Sequence, residues 1–179
     1  MKKSRYEHLV VRKPNMMRAG NKEEAIDKMI SSRPGVDTGA FVLCSRDLIE
    51  GSNVGFEYGI ISKAQIIGID PIPASQGGGL GPHKDIDHDH LFCFLGTNPD
   101  DPSELGGEIE FWLGEGEEID AVIVDTPSSV YVPTNLAMFP MIWRKVTRPI
   151  IMCVVASEGI EKAKEVQIPV SMDGRPTSM

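Results

Sequence analysis

An all-β sandwich or barrel is the fold class that this chain of 179 residues predicts, and three observations lead there. From Gly39 onward, short apolar segments recur with turn signals roughly every eight to twelve residues, the rhythm of a sandwich or barrel. Several of these segments alternate with period two, as Phe56, Tyr58 and Ile60 do within Val54 to Ile61. One stretch alone before the tail has helical periodicity, which is too few helices for a parallel α/β sheet.

Taken in order, residues 1–20 carry the short apolar stretch Leu9-Val10-Val11 and then Lys13-Pro14-Asn15, read as an edge strand or arm. Asn21 caps a helix, with Glu24 in capping-box position and Ala25, Ile26, Met29 and Ile30 on one stripe; Arg33-Pro34-Gly35 stops it. Strand-like pieces follow at Ala40 to Cys44, Val54 to Ile61 and Ala64 to Ile69, before Pro71, Pro73 and Gly77-Gly78-Gly79 break the chain. Further strands are expected at Leu91 to Leu95, Glu108 to Leu113, Ile119 to Val124, Val130 to Val132 and Pro149 to Ala156. A helical turn at Ile160 to Glu165 and a disordered end complete the chain. The expected organisation is an arm and helix over residues 1–38, a barrel over 39–158 and a tail over 159–179.

Composition narrows the function. No run approaches the roughly 18 to 20 apolar residues of a membrane span. The start MKKSRYEHLVVRKPN lacks the apolar segment and cleavage site of a signal peptide, so a cytoplasmic protein is expected. Cys44, Cys93 and Cys153 are odd in number and lie in apolar runs, which suits reduced thiols better than a disulfide framework. A net charge of −8 argues against a nucleic-acid surface. The glycines at 77, 78, 79 and 81 neither follow a strand nor open a helix, which argues against a phosphate-binding loop.

The chemistry concentrates between Gly77 and Gly116. This stretch holds three of the four histidines, His83, His88 and His90, interleaved with Asp85, Asp87 and Asp89, and reaches Glu108 and Glu110 after one loop. Imidazole nitrogens and carboxylate oxygens are the donors that divalent iron, zinc, manganese or nickel prefers. Such a run is also compatible with a solvated turn. It feeds directly into Leu91-Phe92-Cys93-Phe94-Leu95, however, which puts its end at the mouth of a core. On a strand, His88, His90, Phe92 and Phe94 share one face, with the two histidines about 7 Å apart and within reach of a common ion. Glu110 from a neighbouring strand is expected to complete a set of two histidines and one carboxylate, with His83 as a further ligand. Glu108, Glu110 and Trp112 share a face; Ile109, Phe111 and Leu113 are the alternative buried face.

The segments GPHKDIDHDHLFCFLGTNPDDPSELGGEIEFWLGEGEE and DTPSSVYVPTNLAMFPMIWRKVTRPII resemble the cupin superfamily, over about residues 77–156. The resemblance is greatest to bacterial cupins carrying an insertion of the form LGTNPDDPSELGGEIE. It implies a double-stranded β-helix, or jelly roll, with a divalent metal inside and isomerase, dioxygenase or lyase chemistry on a small organic molecule. The family's first motif has two histidines one residue apart, then a glutamate and a glycine; its second has a proline, a glycine and a histidine. Here one register places His83 first, Asp85 at the second histidine position and His90 at the glutamate; another pairs His88 with His90 and takes Glu108 or Glu110 as the carboxylate. Asn135 stands at the second motif's glycine and Met138 at its histidine, and methionine is a poor ligand for hard divalent ions. The implied pocket lining is Trp112, Met138, Trp143 and Phe92, with Phe139 and Met141 beside them. The departures also imply a second reading, a degenerate cupin that binds or senses a ligand without catalysis. A homodimer is expected through sheet edges and exchanged N-terminal strands, with residues 5–12 as the exchanged arm.

Overall fold

The computed structural model describes residues 5–12, 15–16, 41–46, 48–68, 81–157 and 165–168. The helix expected at residues 21–30, the turn at 160–164 and the end of the chain lie outside them. Among the described residues there are twelve strands: β1 Asn15–Met16, β2 Phe41–Cys44, β3 Val54–Ile61, β4 Gln65–Ile67, β5 His83–Asp85, β6 His90–Leu95, β7 Gly107–Leu113, β8 Asp120–Val124, β9 Ser128–Val132, β10 Met138–Val146, β11 Ile150–Ser157 and β12 Glu165–Gln167. They pair only in antiparallel fashion, in two sheets.

One sheet runs β1-β2-β3-β11-β6-β9 and the other β12-β5-β10-β7-β8, with β4 pairing β10 beyond the end of β5. The four-strand series β3-β11-β6-β9 and β5-β10-β7-β8 face each other, and the chain crosses between them repeatedly. That is the double-sheet jelly roll.

The core lies between the sheets. Phe92, Phe94, Val132 and Val154 come from the first, and Ile109, Phe111, Met141 and Trp143 from the second. Aromatic rings carry most of the contact: Phe111 meets Phe92 at 5.0 Å, Phe139 at 5.7 Å and Phe94 at 6.5 Å between ring centres, and Phe94 meets Trp143 at 5.9 Å. Edge-to-face pairs of this kind add about 0.5–1.5 kcal/mol each beyond burial alone.

On β3, Phe56, Tyr58 and Ile60 share one face as expected, and it is the outer one, since the residues turned inward are Gly55, Glu57, Gly59 and Ile61. Three details differ from the sequence expectation. The strand β10 forms in a stretch where the sequence pattern predicts none. Pro140 lacks an N–H for the ladder, and it sits where the register with β7 shifts between Met138 and Met141, a bulge that a proline tolerates. Glu7–Leu9 form a short 3-10 turn rather than an edge strand, because Leu9 and Val10 donate their N–H groups to Tyr6 and Glu7. Glu165–Gln167, in the stretch read as a tail, pair with β5, and the buried Ile168 donates its N–H to Pro82.

The insertion between β6 and β7 is held by its own side chains. Asp100 N–H bonds Asn98 Oδ1, Ser103 N–H and Oγ–H bond Asp101 Oδ1, Thr97 Oγ–H bonds Pro149 O, and Leu105 plugs the base, almost wholly buried. Asn, Asp and Ser favour such turns because their short side chains satisfy nearby backbone groups. Gly96 lets the loop close: a Cβ there would collide with the carbonyl oxygen of Glu104. Gly96→Ala is therefore expected to destabilise the chain by about 2 kcal/mol or more, read as a lower urea midpoint; an unchanged midpoint contradicts this packing.

Candidate metal centre

The histidine run sits where the chain crosses from one sheet to the other. His83 and Asp85 are two residues apart on β5 and both point inward, whereas Lys84 between them points out and pairs with Glu115 at 2.7 Å. Residues 86–89 make the crossing and β6 starts at His90, above Phe92 and Phe94 on the inner face. One strand end from each sheet thus delivers donors to the same corner.

Asp89, between the two later histidines, pins that corner. Its carboxylate accepts the hydroxyls of Tyr131 (2.6 Å) and Thr134 (2.7 Å) and the N–H of Thr134 (2.7 Å). Its backbone N–H donates to Ser157 Oγ, and its carbonyl accepts from Ser157 N–H. These donors hold the Asp89 carboxyl down from 3.8 to about 2. Because the folded group titrates below the unfolded one, its contribution to stability is present above about pH 4 and is lost as pH falls through about 2. Tyr131→Phe combined with Thr134→Ala is expected to return the carboxyl toward 3.8 in an NMR titration, and an unmoved value counts against this anchoring.

Donor atoms of Asp85, His88 and His90 all lie within 4.8 Å of one another. Asp85 Oδ2 is the common point, at 3.7 Å from His88 Nε2, 3.4 Å from His90 Nδ1 and 3.7 Å from His83 Nε2. Two ligands each about 2.1 Å from an ion stand about 3.0–3.5 Å apart at octahedral or tetrahedral angles, so these separations need only a small contraction. Asp85, His83 and His88 are buried and His90 is nearly so.

The tautomers are fixed from outside. His83 Nδ1 lies 2.7 Å from the Gly81 carbonyl and His88 Nδ1 lies 2.8 Å from Asp87 Oδ1; since each of these oxygens accepts, each Nδ1 carries the proton. Nε2 of each ring is then the atom presented to the Asp85 carboxylate, at 3.7 Å in both cases. Burial, then the neighbouring His88 and His83 rings, hold His90 down at about 3, so it is neutral at physiological pH. His88 Nε2 and His90 Nδ1 are buried without a hydrogen-bond partner. The neutral His90 turns a lone pair toward a carboxylate oxygen that repels it, and a divalent cation between them removes that repulsion. The donor set therefore fits a metal ion, and the N–H groups bonded to a carbonyl and a carboxylate are what orient metal-ligating histidines. Removing the Asp87 acceptor, as in Asp87→Ala, is expected to weaken metal affinity about 10- to 100-fold in a competition titration; unchanged affinity means that Asp87 does not orient His88.

The carboxylate of the set is a correction to the sequence expectation. Glu110 lies on the face of β7 opposite Phe111 and pairs with Arg144, whose Nε is 2.6 Å from Glu110 Oε2. Glu108 is exposed on the same face. The core takes Ile109 and Phe111 instead, so β7 sends no carboxylate inward. Trp112 also belongs to the Glu110 face and does not line the interior beneath the histidines. Phe92 does, with its ring 5.7 Å from His90, and Phe139 stacks on His83 at 5.5 Å. Met138 is buried directly opposite His83 in the β5–β10 register. Trp143 packs on Phe94, four residues along β6 from His90 and so roughly 13 Å away along the strand. Asp85 was legible only as one of three alternative carboxylates, although its spacing from His83 on a strand places both on one face. The anchoring triad of Asp89, Tyr131 and Thr134 has no sequence signal, since it joins residues 42 and 45 positions apart.

No protein-family model matches the chain, and no curated protein matches it in sequence. Among solved structures, it is similar to the capsular polysaccharide assembling protein CapF from Staphylococcus aureus (9% identity, TM-score 0.49), covering 74% of this chain and 30% of CapF. It is also similar to a structure described under the DMSP lyases RdDddP and RnDddQII (14% identity, TM-score 0.42), covering 73% of this chain and 52% of that one. KdgF from Halomonas sp. is matched at 9% identity and a TM-score of 0.44, covering 73% of this chain and 84% of KdgF. The chain thus spans about a third to a half of the length of the first two. Among the described residues no helix is long and apolar enough to cross a membrane.

Proposed function

We propose that this chain is a cupin-type enzyme in which Asp85, His88 and His90 hold a divalent transition metal and a small organic molecule reacts beside it. The observation that carries the proposal is the pair of buried, unpartnered imidazole nitrogens, His88 Nε2 and His90 Nδ1, both aimed at one carboxylate oxygen. Two histidines and one carboxylate with further positions open are the donor set of non-haem ferrous sites, although manganese, nickel and zinc accept the same atoms. When bound, such an ion supplies a Lewis acid that polarises a carbonyl or enolate oxygen.

The remaining work falls to the chain itself. Asp87 and the Gly81 carbonyl hold the rings of His88 and His83 in one tautomer. His83, with its proton fixed on Nδ1, presents Nε2 beside Asp85 as a fourth donor or as the base that takes a proton from the substrate. Phe92 and Phe139 floor the site and keep water from beneath the histidines. Turnover of a small hydroxy- or keto-acid by metal-loaded protein, lost in His90→Ala, supports this reading.

A second reading, ligand binding without catalysis, draws on the buried Met138 opposite His83 and on the aromatic packing of Phe92, Phe111 and Phe139 just below the histidines. It predicts saturable thermal stabilisation by such acids and no product with any of the four metals. Product formation excludes it.

A further inference from the structure

Cys93 on β6 and Cys153 on β11 are direct partners in the antiparallel register. Both side chains leave the outer face of the sheet. Cys93 lies between the inward Phe92 and Phe94, Cys153 precedes the inward Val154, and both cysteines are half-buried. The row across this face runs Tyr58, Cys153, Cys93 and Ser129, so the two thiols occupy adjacent places in it, and the exposed Ser129 leaves one side open to solvent. The third cysteine is placed differently: Cys44 pairs in register with Phe56, and its thiol contacts Ser52 Oγ at 3.3 Å.

Directly opposed residues on antiparallel strands have Cα atoms about 4.5–5.5 Å apart. A disulfide requires about 4.4–6.8 Å. Both strands are pinned on two sides, β11 between β3 and β6 and β6 between β11 and β9, so the two residues are held in that opposed register. We infer that Cys93 and Cys153 form an oxidisable cross-strand dithiol, a modification site that takes a peroxide or a low-molecular-weight disulfide as its oxidant.

With hydrogen peroxide the atoms balance as follows. One thiolate attacks a peroxide oxygen and the O–O bond breaks, giving a sulfenic acid and hydroxide. The facing sulfur then displaces the sulfenic oxygen, which leaves as water, and the S–S bond forms. Two thiols lose two electrons and two protons, and one peroxide becomes two waters. Burial and the facing Cys93 push the Cys153 thiol up, which disfavours its thiolate and makes it the resolving sulfur rather than the one that attacks the oxidant. The bridge would staple β6, which begins with His90, to β11. It does not depend on the metal reading.

The test uses the full chain, reduced and then treated with hydrogen peroxide, denatured, alkylated and weighed intact before peptide mapping. The expected product has lost two hydrogens, keeps one of its three thiols alkylatable, at Cys44, and yields a Cys93–Cys153 linked peptide. Cys153→Ser is expected to give no bridge and to stop at a sulfenic acid on Cys93 that dimedone traps. The bridge is expected to form equally in His88→Ala with His90→Ala, which separates it from metal binding. Three alkylatable thiols after treatment, a bridge that includes Cys44, or a bridge found only between two molecules overturns the inference. The first measurement needs no variant, so misfolding of a substituted chain cannot mask the result.

Discussion

Chain carrying His88→Ala together with His90→Ala is expected to lose its divalent metal, with affinity falling by more than a hundredfold and with no stoichiometric ion after purification. The size follows from the geometry. Removing an outer group that orients a ligand costs about 10- to 100-fold, and here two ligating nitrogens disappear. Both lie within 3.7 Å of Asp85 Oδ2, and without them only His83 Nε2 remains beside that carboxylate, two donors where the group of three had been. Two single variants sharpen the result. Asp85→Asn is expected to lose metal as well, because the amide is a weaker donor and carries no charge. Glu110→Gln is expected to leave metal content unchanged and to forfeit only the ion pair with the exposed Arg144, worth about 1 kcal/mol or less. Loss of metal in Glu110→Gln with retention in Asp85→Asn would reverse the assignment of the carboxylate.

Phe111→Ala is expected to be the most damaging single truncation of the core, at about 3–5 kcal/mol. Its ring is wholly buried and touches Phe92, Phe94 and Phe139, so alanine leaves a void bounded by both sheets that none of the three can fill without abandoning its own contacts. In a chain of this length the loss amounts to roughly 10 °C or more in melting temperature. A denaturant series gives the same quantity as a lower midpoint with an unchanged slope. A change below about 1 kcal/mol would mean that the aromatic cluster is not the centre of the core.

These two results probe parts of the molecule that were unequally legible in the sequence. The jelly roll was legible because short alternating runs such as Val54 to Ile61 and Glu108 to Leu113 carry their period locally, and β3, β7, β8 and β11 begin and end within two residues of the expected positions. The face that an alternating run buries is a different matter. In GEIEFWL both alternations are chemically sensible, and the choice is made by partners far away: Arg144 draws Glu110 outward while Phe92 and Phe94 receive Phe111. The same holds on β3, where glycines turn inward and aromatics outward. Strand β10 was illegible because Pro140 and a run without alternation hide it; its bulge is a tertiary solution with no local period.

The histidines announced themselves by residue type and spacing. Their carboxylate did not. Strand alternation pairs His83 with Asp85 and His90 with Phe92, yet it does not say that β5 and β6 end at one corner of two different sheets. Once the crossing is known, Asp85 at 3.4–3.7 Å from three imidazole nitrogens follows.

The most direct test is metal analysis of wild-type chain purified without chelator, combined with anomalous scattering from its crystals. The account predicts one divalent transition ion per chain, with its anomalous peak between Asp85 Oδ2, His88 Nε2 and His90 Nδ1. Protein free of metal that also takes up none of iron, manganese, nickel or zinc on reconstitution, or an ion bound away from those three atoms, would contradict it.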